Sequence, residues 1–115
     1  MKNIYISGPI TGRADAMQRF AKMEIDLTAR GFTALNPARL PGGLTSAQYM
    51  RIDFAMIDAA DAVILLPRWM DSPGSRLEVD YCRYTGKPVF FSLEGLIEGA
   101  LLNRKEGKHE QTSES

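Results

Sequence analysis

The chain has 115 residues, 44% hydrophobic and 24% charged, and its 14 Lys and Arg balance 14 Asp and Glu. That length suits one ordinary domain with a real core, and the charge balance excludes the broad basic footprint of a duplex nucleic-acid or anionic-membrane binder. The lone cysteine, Cys82, excludes an internal disulfide and makes a reducing, cytoplasmic setting the expectation, while the lone histidine, His109, argues against a histidine-based metal site or triad.

Residues 2–7, Lys-Asn-Ile-Tyr-Ile-Ser, are β-branched and aromatic, stop at Gly8-Pro9, and predict a buried strand. Ser7, Gly8, Pro9 and then Arg13 break up any signal-peptide core. After a loop over 8–12, Ala16, Phe20, Met23 and Leu27 recur on one helix face, and Gly31 ends that helix. Residues 32–35 predict a second strand, closed by Asn36-Pro37, and 38–45 a loop around Pro41-Gly42-Gly43. The next helix starts at Thr45 or Ser46 as N-cap and turns Ala47, Met50, Phe54 and Ile57 inward. Residues 61–66, apolar on both faces, predict the centre of a parallel sheet; the apolar run of 62–67 is far too short to span a bilayer. A loop over 67–73 leads to a third helix with Leu77, Tyr81 and Tyr84 as its core stripe and Gly86 as its stop. A fourth strand over 88–92 and a last helix over 93–102 follow, and the all-polar 103–115 predicts a disordered tail. The β-α-β-α-β-α-β-α order implies a three-layer, flavodoxin-like (Rossmann-like) α/β domain with a mostly parallel sheet of four to five strands, its ligands at the carboxyl ends of the strands.

Three places at that end carry candidate chemistry, and each also has a plain structural reading. The turn Ser7-Gly8-Pro9-Ile10-Thr11-Gly12 offers backbone N–H groups to an anion or a sugar, or is simply a tight turn; it is neither a dinucleotide nor a P-loop motif. Tyr5 is a site residue or a core aromatic. In Arg68-Trp69-Met70-Asp71-Ser72-Pro73-Gly74-Ser75-Arg76-Leu77-Glu78, Ser72 and Pro73 make a good helix start, and Glu78 is either a solvated early-helix acid or a carboxylate beside an anion site. Trp69 and Met70 either stack on a base or cover the sheet end. Asp53 lies off the Met50, Phe54, Ile57 stripe, as a surface acid or a site acid.

Tyr5-x-x-Gly8-Pro9, Asp53, Asp61-Ala62-Val63 and Ser72-x-Gly74-x-x-x-Glu78, taken in that order and spacing, resemble the nucleoside 2-deoxyribosyltransferase superfamily. The nearest part is a small phage- and bacteria-associated group often labelled only as a domain of unknown function. The resemblance implies Glu78 as the nucleophile on the anomeric carbon of a 2-deoxyribose, Asp53 as the acid on the departing base, and Tyr5 as the residue orienting Glu78. It also implies substrate contacts from Ser7, Gly8, Pro9, Ile10, Ser72, Gly74, Arg76 and Trp69. Ser72 favours a 5′-monophosphate, whereas Pro9 and Thr11 stand where the monophosphate hydrolases place a serine and an arginine. Arg76 near Glu78 would lower the pKa of that carboxyl and stabilise the carboxylate. The expectation is an enzyme on a small nucleoside or nucleotide, with no metal or organic cofactor, as a homodimer or higher oligomer. A non-catalytic nucleotide-binding protein, a phosphoribohydrolase-like enzyme and a structural interaction module stay open beside it.

Overall fold

The computed structural model describes residues 1–10 and 14–102. The predicted contacts of Thr11, Gly12 and Arg13, and the predicted tail over 103–115, lie outside the described residues. Four strands, β1 (Asn3–Ser7), β2 (Thr33–Leu35), β3 (Ala62–Leu65) and β4 (Val89–Phe90), form one sheet in the order β2-β1-β3-β4, every pairing parallel. Helices α1 (Ala16–Ala29), α2 (Ser46–Ala59) and α3 (Pro73–Thr85) alternate with them, and α4 covers residues 93–102.

Alternation along β1 and β3 sorts their side chains into two cores. Ile4, Ile6, Ala62 and Ile64 pack with Phe20 and Leu27 of α1 and Leu96 of α4. Tyr5, Val63 and Leu65 pack on the other face with Ile57 of α2 and Val79 and Cys82 of α3. This is the expected three-layer, flavodoxin-like architecture. Its strand order reverses between β1 and β3, which makes the carboxyl ends of those two strands the crevice of the sheet.

Local chemistry accounts for the element ends. Thr45 caps α2 in a reciprocal box: its Oγ1 accepts from Gln48 N at 3.1 Å, and its own N–H donates to Gln48 Oε1 at 3.0 Å. Ser72 caps α3, accepting from Ser75 N at 3.2 Å ahead of Pro73 in the first turn. Gly86 ends α3 at φ 78, a left-handed conformation that favours glycine.

Two predicted faces hold only in part: Ile57 is buried and Phe54 and Tyr81 pack against the core, but other positions on the same seam differ. Asp53 is buried on the core face of α2 with Ile57, four residues on, while Ala47 is exposed. On α3 the buried positions are Ser75, Glu78, Val79 and Cys82, whereas Leu77 is 48% and Tyr84 92% exposed. A reading by hydropathy looks for apolar stripes. Here the buried stripes carry two acids and a serine beside Ile57, Val79 and Cys82, so apolar spacing alone misplaces part of each face.

Candidate active site

Tyr5 and Ser7 are two apart on β1 and so point to the same face, toward α3. Ser75 and Glu78 are three apart on α3 and point back. The four meet at the carboxyl end of β1. The Tyr5 hydroxyl donates to Glu78 Oε2 at 3.0 Å, and Ser7 Oγ donates to Glu78 Oε1 at 2.7 Å. Ser75 Oγ lies 3.1 Å from Ser7 Oγ. A serine hydroxyl has one proton, and Ser7 uses its own on Glu78, so Ser75 is the donor in that second contact. Each Glu78 oxygen is thus held by a separate hydroxyl, and the side chain is only 5% exposed. Glu78 is no solvated early-helix acid.

Asp53 enters the same crevice from α2, 9% exposed, close enough to Glu78 for the two carboxyls to influence each other. Burial is the main influence on Glu78 and, reinforced by the Asp53 charge and opposed by the Ser7 and Tyr5 hydroxyls, pushes it up to about 8. Glu78 therefore keeps its proton at neutral pH, beside an Asp53 carboxyl that burial also raises. Among the described residues the buried Asp53 Oδ1 has no hydrogen-bond partner. Tyr5, fully buried beside two carboxyls, is driven far above the usual phenol range, first by burial and then by the Glu78 charge, and stays a donor. Cys82, one turn beyond Glu78, is pushed up to about 11 by burial and stays a thiol.

The other predicted contacts divide. Ser72 and Gly74 stand at the α3 N-terminus above this cluster; a Cβ on Gly74 would sit 3.6 Å from the Met50 methyl, so α2 reaches across to that end. Gly8 and Pro9 are buried directly after Ser7, and Ile10 is 38% exposed. Gly8 has a packing reason of its own, because a Cβ there would lie 2.9 Å from Leu66 Cβ. Trp69 and Arg76 are not brought to Glu78. They line a shallow depression of about 180 Å³ with Met70, Val79, Asp80 and Arg83. Trp69 also leans on Phe91 there, ring centroids 6.3 Å apart. The expectation that Arg76 depresses Glu78 is overturned: Glu78 is raised, and the groups acting on it are Ser7, Asp53 and Tyr5.

Sequence reasoning missed Ser75 and the role of Ser7 as a holder of Glu78. The signal was present: once Glu78 is placed inward, helical spacing carries positions 75, 79 and 82 inward with it. Among the described residues, no three His, Cys, Asp or Glu side chains gather as a metal-binding set, and no helix is long and apolar enough to cross a membrane. One family model, described as Domain of unknown function (DUF4406), matches residues 2–91 of the chain. A comparison with the curated proteins finds no match.

Proposed function

Given that the chain belongs to the DUF4406 family, a domain of unknown function, we propose that it cleaves or transfers the N-glycosidic bond of a 2-deoxyribonucleoside or its 5′-monophosphate through a covalent ester to Glu78. The supporting observation is the buried carboxyl pair: Glu78 held through both oxygens by Tyr5 and Ser7, with Asp53 buried beside it. Burying two acids against each other is costly, and a fold with no use for them would fill the space with apolar atoms more cheaply. Carboxyl pairs of this kind serve reactions needing one acid and one carboxylate at once.

In the reaction the Glu78 proton passes to Asp53, leaving Glu78 ionised beneath the sugar. A Glu78 oxygen bonds to the anomeric carbon while the bond from that carbon to the base nitrogen breaks. Its electron pair leaves with the base, which takes the Asp53 proton. Asp53, now a carboxylate, then accepts a proton from water or from a second base as that group displaces the Glu78 ester. The sugar must part a pair that is close together at rest, since carboxyls in retaining glycosidases stand about 5 Å apart. The α3 N-terminus, with Ser72 and Gly74, suits the sugar or its 5′-phosphate.

The deciding experiment is chromatography of base release from 2-deoxynucleosides, their 5′-monophosphates and the matched ribonucleotides, with and without an acceptor base, beside Glu78→Ala. Release specific to the 2-deoxy sugar and reduced at least ~1000-fold in the variant is the expected result. Equal turnover by the variant would sink the covalent mechanism. If the same compounds raise the melting temperature but are returned intact, the protein is a nucleotide binder and not an enzyme.

A further inference from the structure

Two serines occupy core positions beneath the crevice. Ser7 is 1% and Ser75 2% exposed, on a strand face shared with Tyr5 and a helix stripe shared with Val79 and Cys82. The backbone fixes both. Ser7 pairs with Leu65 of β3, and its carbonyl accepts from Leu66 N at 2.8 Å. The Ser75 N–H donates to the Ser72 cap at 3.2 Å. What the backbone leaves open is the direction of each hydroxyl proton, since an O–H rotates to suit its surroundings.

That direction sets which form of Glu78 is favoured. A hydroxyl that donates to the carboxyl favours the ionised form; one that accepts from it favours the neutral acid. Ser7 Oγ, 2.7 Å from Glu78 Oε1, is placed to do either. Ser75 removes the choice. Its Oγ lies 3.1 Å from Ser7 Oγ, which is the one hydrogen-bond partner of that hydroxyl among the described residues. A proton donated by Ser75 occupies a lone pair of Ser7 and turns the Ser7 proton toward Glu78, and hydroxyls in series strengthen one another. The other groups acting around Glu78 are the Tyr5 hydroxyl from β1, the Asp53 carboxyl from α2 and the Cys82 thiol from its own helix. Among the described residues none of those three hydrogen-bonds to Ser7.

We propose that Ser75 is a positioning residue that acts on Glu78 through Ser7: its proton commits the Ser7 hydroxyl to donating, so the chain Ser75–Ser7–Glu78 favours the carboxylate. Under the proposed reaction, on which this catalytic consequence rests, Ser75 thereby raises the population of the attacking Glu78. The test follows the Glu78 side-chain carboxyl by carbon NMR across its titration in the wild type, Ser75→Ala, Ser7→Ala and the double variant. Ser75→Ala keeps the N–H that the Ser72 cap uses, so its circular dichroism should match the wild type. The midpoint should rise by at least ~0.5 unit in Ser75→Ala and by about 1 unit or more in Ser7→Ala, which loses a hydrogen bond to a charged group. The double variant should match Ser7→Ala, because Ser75 has nothing to act through once that hydroxyl is gone. In the base-release assay Ser75→Ala should lower kcat roughly 3- to 10-fold at unchanged KM. An unmoved midpoint in Ser75→Ala overturns the proposal and leaves Ser75 a packing residue. Shifts that add in the double variant overturn the route through Ser7. Shifted, non-additive midpoints in a protein that releases no base support the hydrogen-bond chain and sink the glycosidic reading alone.

Discussion

At the scale of single residues, the decisive group is the Tyr5 hydroxyl. It is buried, permanently protonated, and has one acceptor, Glu78 Oε2 at 3.0 Å. Its bond favours the ionised form of Glu78, against burial, which favours the neutral one. Tyr5→Phe keeps the ring in the core and removes only that bond. Under the proposed chemistry the reactive arrangement, ionised Glu78 with the proton on Asp53, then becomes rarer. The maximal rate should fall roughly 10- to 100-fold, the equivalent of losing one hydrogen bond to a charged group. The singly protonated pair is the active form, so the rate declines on the alkaline side as the last proton leaves. With Tyr5 gone that proton is held more tightly, and the alkaline limb should move to higher pH. A pH–rate profile of the variant checks both effects; a lower rate with an unmoved limb would reduce Tyr5 to a packing residue.

At the scale of elements, what the sequence revealed depended on which signal each element carries. β1 and β3 were legible because both faces are buried and their centres, Ile4-Tyr5-Ile6 and Ala62-Val63-Ile64-Leu65, are β-branched, aromatic or aliphatic. The start of α2 was legible because Thr45 and Gln48 form a reciprocal cap from side chains alone. The faces of α2 and α3 were not, because Asp53, Ser75 and Glu78 occupy core positions that hydropathy assigns to water. Glu78 and Tyr5 were named through the spacing of motifs, while the contact between them, 73 residues apart in the chain, needed the fold. Trp69 and Arg76 sit in the same loop and helix as Ser72 and Glu78, but helical rotation carries Arg76 to the opposite flank. Gly8 shows a further limit, since its need is set by a neighbour. The carbonyl of Ser7 accepts from Leu66 N at 2.8 Å, drawing the β3 exit against the β1 exit so closely that no Cβ fits. Gly8→Ala must push Leu66 aside or pull Ser7 away from Glu78, and should cost about 1–3 kcal/mol. Urea unfolding measures it, and a loss below about 0.5 kcal/mol, the scatter of an ordinary surface change, would mean that Leu66 simply yields.

At the scale of the whole molecule, the carboxyls pull stability in opposite directions along the pH axis. Asp61 accepts from the N–H groups of Asn3 and Lys2, tying the start of β1 to β3, and those bonds hold its carboxyl low. Glu24 is held low by Asn36 and then by Arg39. Both contribute above their ordinary range and lose that contribution as pH falls through their depressed values. Glu78 and Asp53 have the opposite sign. A carboxyl raised by burial binds its proton more tightly folded than unfolded, so its contribution is full below the unfolded value near 4.5 and is lost as pH rises toward about 8. The wild type should therefore lose melting temperature from pH 5 to pH 8, just where the proposed chemistry needs the pair. Glu78→Gln keeps the shape and removes the Glu78 titration, so its melting temperature should fall much less over that range. By pH 8 the inactive variant should be the more stable protein by roughly 1–3 kcal/mol, or about 4–12 °C. Scanning calorimetry of both proteins at pH 5, 6.5 and 8 reads the difference directly. Parallel curves would mean that Glu78 ionises freely in the folded state, and the reading of the crevice as a buried pair that holds its proton would fall with it.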